Sequence, residues 1–200
     1  GIKGVIAGDE GSRLHSADTG YIRPGTMYVV GMGPGSMDQM TGAALEALKR
    51  CQVIAGYTVY VDLIREHFPH KQFLTREEER CRRALECCME GNDTAMICSG
   101  DAGIYGMAGL ILELAGQYPG VQVEIVPGVT AASAGAAVLG APLMHDFAVI
   151  SLSDRLTPLD DIWDRVESAA RAGFVICMYN PASKGRPDYF RQACERILKY

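Results

Sequence analysis

From Met27 onward the chain alternates short apolar runs with helical patterns, and most of the apolar runs end in a glycine-rich corner. That rhythm constrains the fold more than any other feature. Met27–Val30 reads as a buried strand ending at Gly31, and Val53–Ala55, Ala95–Cys98, Val121–Val126, Phe147–Leu152 and Phe174–Tyr179 read as further strands. Between them, Ala44, Ala47, Leu48 and Cys51 recur at helical spacing, as do Tyr60, Leu63 and Ile64. Cys81, Ala84, Leu85 and Cys88 form the stripe of a third helix. Thr75 and Glu78 read as its capping box, Glu78–Arg82 and Glu79–Arg83 as its exposed ion pairs, and Gly91 as its C′ residue. Helices are also expected at Leu110–Leu114, after Pro127-Gly128, around Trp163 and Val166, and from about Pro187 to Tyr200. Short continuous strands alternating with helices predict an α/β fold with mostly parallel sheets.

A break near Pro127 divides this pattern into an N-terminal α/β lobe, 27–126, and a C-terminal α/β lobe, 127–200. The second lobe reads as incomplete at its C-terminal end. Residues 1–25, rich in Gly, Asp and Ser and carrying His15 and Asp18, read as a leader or linker outside the core.

Composition narrows the function. The 200 residues are 48% apolar and 22% charged, ordinary globular usage, with a net charge of −5. An acidic chain without basic blocks is a poor nucleic-acid or anionic-membrane binder. Seven cysteines show no metal-ribbon spacing and fall in apolar segments, as expected of reduced thiols in a cytoplasmic protein. None of the histidines has a metal-ligand partner in sequence, so no protein-bound metal is expected. The stretch Ile125–Met144 carries no charge but is built from Gly, Ala, Ser and Thr, which suits a loop and small-residue helix better than a membrane span.

Four corners stand just past the carboxyl ends of expected strands: Gly31–Ser36, Ser99–Gly106, Val126–Ala132 and Asn180–Arg186. In open parallel sheets that edge binds ligands, and four such corners predict a shared cleft. The first corner is not a dinucleotide fingerprint. Pro34 interrupts the turn, Ser36 replaces the third glycine, and the next strand ends in Gly56-Tyr57 without a ribose-binding carboxylate. An adenosine ligand here must be held mainly by backbone groups.

The Gly31-Met32-Gly33-Pro34-Gly35 corner, the Ser99–Gly106 loop and the Val126–Ala132 segment together resemble the tetrapyrrole (corrin/porphyrin) methylase superfamily. Leu152–Pro158 and Tyr179–Arg186 resemble its precorrin-3B C17-methyltransferase subfamily, in the aerobic or the cobalt-dependent anaerobic form. The resemblance covers about residues 27–200. It implies a two-lobe tetrapyrrole methylase fold whose second lobe continues beyond Tyr200. It also implies a homodimer with S-adenosylmethionine bound folded between the lobes, and methylation at C17 with ring contraction. Carried over by motif, Pro34, Gly100, Asp101, Ile104, Thr130, Ala131 and Tyr179 contact the methyl donor. Tyr57, Ser153 and Asp154 are the candidates for proton movement, and Arg155, Lys184 and Arg186 for the substrate's carboxylates. Asp101 also reads as a turn-forming residue, Thr130 as a helix N-cap, Tyr57 as a half-buried strand-end residue, and Lys184 and Arg186 as solvated loop.

Two rival readings stand beside this one. Diphthine synthase and certain ribosomal RNA methylases resemble the same superfamily, but the Asn180–Arg186 block and the absence of a basic surface argue against them. A non-catalytic lobe of a fused cobalamin-pathway protein is the other.

Overall fold

The computed structural model describes residues 20–76 and 79–200. His15, Asp18 and Glu78, with the leader, capping-box and ion-pair roles expected of them, lie outside those residues. Strands β1 (Thr26–Gly31), β2 (Val53–Ala55), β3 (Gln72–Leu74), β4 (Thr94–Cys98) and β5 (Gln122–Val126) alternate with α1 (Gly42–Arg50), α2 (Thr58–Ile64), α3 (Arg80–Met89) and α4 (Ala108–Ala115). After them come α5 (Ala131–Leu139), β6 (Phe147–Ser151), α6 (Leu159–Arg171), β7 (Val175–Tyr179) and α7 (Tyr189–Ile197).

The first five strands form one sheet in the order β3-β2-β4-β1-β5, and every pairing is parallel. Strand side chains alternate faces, and the core obeys this strictly. Tyr28, Val30, Ile54, Ala95 and Ile97 pack with Ala44 and Leu48 of α1 and with Val61 and Ile64 of α2. Met27, Val29, Ala55, Met96 and Cys98 pack on the opposite face, with Ala84, Leu85 and Cys88 of α3 and with Ala108 and Ile111 of α4. Burial on both faces is why these strands read as continuous apolar runs rather than alternating ones. β6 and β7 make a separate parallel pair, covered by Ile162, Trp163, Val166 and Ala169 of α6 and Ala193 of α7. The α/β class with parallel sheets is as expected.

Several local expectations need correction. β3 was not expected: Gln72-Phe73-Leu74 is short and only partly buried, so it gives little apolar signal, and its pairing with β2 creates it. On α2 the buried positions are Val61 and Ile64, whereas Leu63 is exposed, because the sheet sees the helix one residue out of phase with the expected stripe. Cys51 is buried as the C-cap of α1 rather than inside it. Arg83 pairs with Glu86 and Glu90 and not with Glu79, which is the N-cap residue of α3. α7 begins at Tyr189, past Pro187. Gly91 does end α3, with φ +92 and its N–H donated to Cys88 O at 3.0 Å.

Candidate active site

Because every strand of the large sheet runs the same way, the corners after β1, β4 and β5 must emerge on one edge. They do more than share it. A Cβ on Gly31 would stand 2.7 Å from Gly100 O and 2.8 Å from Gly128 N, and one on Gly128 would stand 2.3 Å from Gly100 O. Only backbone fits where these corners meet. Gly33 and Gly100 bridge one another through N–H···O bonds of 3.0 and 2.9 Å.

Asp101 fixes the junction further. Its Oδ1 accepts the Gly128 N–H at 2.9 Å, and its Oδ2 accepts the Gly103 and Ile104 N–H groups at 2.9 and 3.2 Å. One carboxylate therefore shapes its own turn and ties it to the β5 corner. The ligand-facing and turn-forming readings of this residue are compatible, since the side chain still lines the cleft.

The fourth corner arrives from the small sheet. Tyr179, the last residue of β7, places its hydroxyl at the N-terminus of α5, where it accepts the Ala132 N–H at 2.9 Å and shares a short hydrogen bond with the Thr130 hydroxyl. Thr130 occupies the N-cap position but its own side chain makes no cap bond, so the tyrosine from the other sheet takes over that function. Tyr105 adds a second link, donating its hydroxyl proton to Val149 O at 3.2 Å while its ring lies 5.2 Å from that of Tyr179.

The four elements enclose an open cleft of about 190 Å³. Gly100, Asp101, Ile104, Thr130, Ala131 and Tyr179 line it, and Ser99, Tyr60, Tyr105 and Asn180 complete the wall. Tyr105 and Asn180 carry signals that single them out in hindsight, as non-glycine residues with φ of +52° and +50°. Such strained backbone concentrates at functional sites. Asn180 is held by donating from Nδ2 to Ser151 Oγ at 3.0 Å. Tyr60 had been assigned only to a helix stripe.

The remaining expected residues do not line this cleft. Pro34 is exposed on the β1 corner. Ser153, Asp154 and Arg155 follow β6. There Asp154 accepts the Tyr189 hydroxyl at 2.8 Å and lies 3.7 Å from Arg186 Nη1. That hydrogen bond holds the Tyr189 phenol above its usual range. Arg186 also donates to Ser183 Oγ and Leu152 O, so it latches the second unit internally, whereas Arg155 and Lys184 are exposed. Tyr57 stands exposed at the carboxyl end of β2 with the Arg80 guanidinium 4.1 Å from its ring centre. A separate apolar groove of about 270 Å³ runs between α5 and β7.

The cleft walls combine the apolar Ile104 with tyrosine rings whose faces attract cations. No helix among the described residues is long and apolar enough to cross a membrane, and no group of three or more His, Cys, Asp or Glu among them is arranged to hold a metal ion.

Known proteins resemble this chain in sequence and in fold. Residues 26–200 match the family described as Tetrapyrrole (Corrin/Porphyrin) Methylases. The chain is 49% identical over 176 residues to the probable cobalt-factor III C(17)-methyltransferase of Salmonella typhimurium, covering 86% of this chain and 73% of that protein. It is 43% identical over 180 residues to the precorrin-3B C(17)-methyltransferase of Sinorhizobium sp, covering 86% and 71%. Against the larger cobalt-factor III methyltransferase of Priestia megaterium it spans 34% of the relative's length. The crystal structure of the methyltransferase CobJ superposes with a TM-score of 0.80 at 36% identity, over 88% of this chain and 76% of that one. The chain belongs to the tetrapyrrole methylase family.

Proposed function

We propose that this chain is an S-adenosylmethionine-dependent C-methyltransferase of cobalamin biosynthesis. It transfers a methyl group to C17 of precorrin-3B or cobalt-factor III in the ring-contracting step, and it works as a cytoplasmic homodimer whose two lobes divide near residue 127. The observation that carries this reading is the convergence of the Ser99–Ile104 loop, the Thr130–Ala131 helix start and Tyr179 on one cleft. The relatives' names supply the acceptor.

S-adenosylmethionine brings a methyl group already activated on a sulfonium, so the protein's task is alignment. Holding two reactants in line is worth about 7–11 kcal/mol of a barrier. Gly100, Thr130 and Ala131 form the wall around the donor, Ile104 and Tyr179 pack against it, and Asp101 keeps the loop in register. Pro34 lies outside the cleft lining, on the β1 corner that Gly33 ties to Gly100, where it would flank a donor extending past that bridge. Tyr57, at the open end of β2, is the candidate for proton movement during ring contraction. Ser153 and Asp154 support the β6 corner, with Arg155, Lys184 and Arg186 on the side that meets the acceptor's carboxylates.

The test is incubation with S-adenosylmethionine and either cobalt-factor III or precorrin-3B, followed by mass and visible spectra. Gain of one methyl group on either substrate supports the reading, and no gain on both contradicts it.

A further inference from the structure

A second cavity, of about 460 Å³, opens on the same edge of the large sheet, at the carboxyl end of β3. It is walled by Phe73, Thr75, Glu79 and three arginines, Arg76, Arg80 and Arg83. Arg83 is occupied by Glu86 and Glu90. Arg80 is different. It is only 6% exposed, it forms no ion pair among the described residues, and its buried Nε has no hydrogen-bond partner. One guanidinium nitrogen reaches Thr75 O at 3.4 Å, and the plane lies over the Tyr57 ring.

A buried cation without a counterion is costly. Its position adds to the cost, because Arg80 is the first residue of α3, where the helix dipole repels positive charge and favours negative. That helix start also lacks a side-chain cap. Among the described residues the Tyr57 ring and one long hydrogen bond to Thr75 O are all that offsets this arrangement. An anion in the cavity would satisfy the cation and the uncapped helix start together. Of the anions, a carboxylate matches the planar fork of arginine.

We propose that Arg80 is a substrate-positioning residue that grips a peripheral carboxylate of the tetrapyrrole. This rests on the methyltransferase reading above and extends it. Cavity and donor cleft emerge on the same edge, from β3 and β4 on either side of β2. Two inter-strand spacings separate them, roughly 10 Å. A polycarboxylate ring presented to the donor cleft over the end of β4 therefore extends across Tyr57 toward Arg80. Tyr57 is the floor between the two sites.

The test uses the full chain with Arg80→Met, which keeps the packing on Tyr57 and removes the charge, and Arg80→Lys, which keeps the charge and removes the fork. Steady-state methyl transfer, S-adenosylhomocysteine titration and Tm are measured for each. The tetrapyrrole KM is expected to rise by about tenfold or more in Arg80→Met and by less in Arg80→Lys. S-adenosylhomocysteine affinity stays as in the wild type. The Tm of Arg80→Met falls little, since the lost charge had no counterion among the described residues and its contacts were the Tyr57 ring and Thr75 O. A tetrapyrrole KM unchanged in both variants overturns the inference alone. So does a fall in S-adenosylhomocysteine affinity that matches the KM change. Wild-type protein that forms no methylated product overturns the methyltransferase reading and this inference with it.

Discussion

The hydroxyl of Tyr179 accepts the backbone N–H of Ala132 at 2.9 Å, so a residue ending a strand of the small sheet caps a helix that follows the large one. The same hydroxyl meets Thr130. Both partners line the cleft or adjoin it, which makes the link between the sheets and the shape of the cleft one structural fact.

Tyr179→Phe removes that hydroxyl and leaves the α5 start uncapped. Loss of a cap or a buried hydrogen bond costs about 1–2 kcal/mol. Urea denaturation should show that loss, and isothermal titration should show weaker S-adenosylhomocysteine binding. Unchanged values in both measurements would detach Tyr179 from the cleft.

The glycine corners predict an order of severity. At Gly128 an added Cβ would stand 2.3 Å from Gly100 O, with backbone on both sides and nothing flexible to yield. At Gly100 the nearest atom would be 3.6 Å away, but φ is +66°. Gly100→Ala therefore meets only the left-handed penalty of about 1–2 kcal/mol. Gly128→Ala adds overpacking, typically about 1–3 kcal/mol by itself. Thermal denaturation of the two variants should place Gly128→Ala lower; the reverse order would contradict the close approach of the corners.

Asp101→Asn separates the two roles of this residue. Asparagine can still accept from Gly128, but its amide group would then face the Gly103 and Ile104 N–H groups, donor against donor. Two orphaned donors at a partly exposed turn cost about 1–3 kcal/mol. Stability and S-adenosylhomocysteine affinity are expected to fall together. A loss of affinity at full stability would assign Asp101 to ligand contact alone.

How much of this was legible beforehand varies by residue. The strands of the large sheet announced themselves because Met27–Val30 and Ala95–Cys98 are buried on both faces. Gly100, Asp101, Ile104, Thr130 and Ala131 line one cleft because they follow neighbouring parallel strands, and Tyr179 reaches it from the end of β7. β3 was hidden because Gln72–Leu74 is too short and exposed to carry a periodic signal. Arg80 was hidden for another reason: a charged residue in a helix written Arg-Cys-Arg-Arg reads as solvated, whereas the tertiary fold buries it with its guanidinium over the Tyr57 ring. Asp154 and Arg186 could not be paired by sequence, since the contact joins the β6 corner to the β7 corner.

Alkaline pH should weaken the fold through its thiols. Burial pushes Cys51 up to about 12 and Cys88 and Cys98 up to about 11. In the unfolded chain thiols ionise at about 8.5. Groups whose folded values are raised contribute stability that is full below the unfolded value and lost as pH rises through the folded one. The urea midpoint should therefore decline from about pH 8.5 upward, and Cys51→Ala should make that decline shallower. An identical slope in Cys51→Ala would show that the Cys51 thiol is not protected from ionisation.

A crystal of the protein with S-adenosylhomocysteine tests the central claim most directly. The adenosyl group should lie between the Ser99–Ile104 loop and the Thr130–Ala131 helix start, against the Tyr179 ring. Ligand density in the apolar groove between α5 and β7 instead, with the glycine corners empty, would contradict the account.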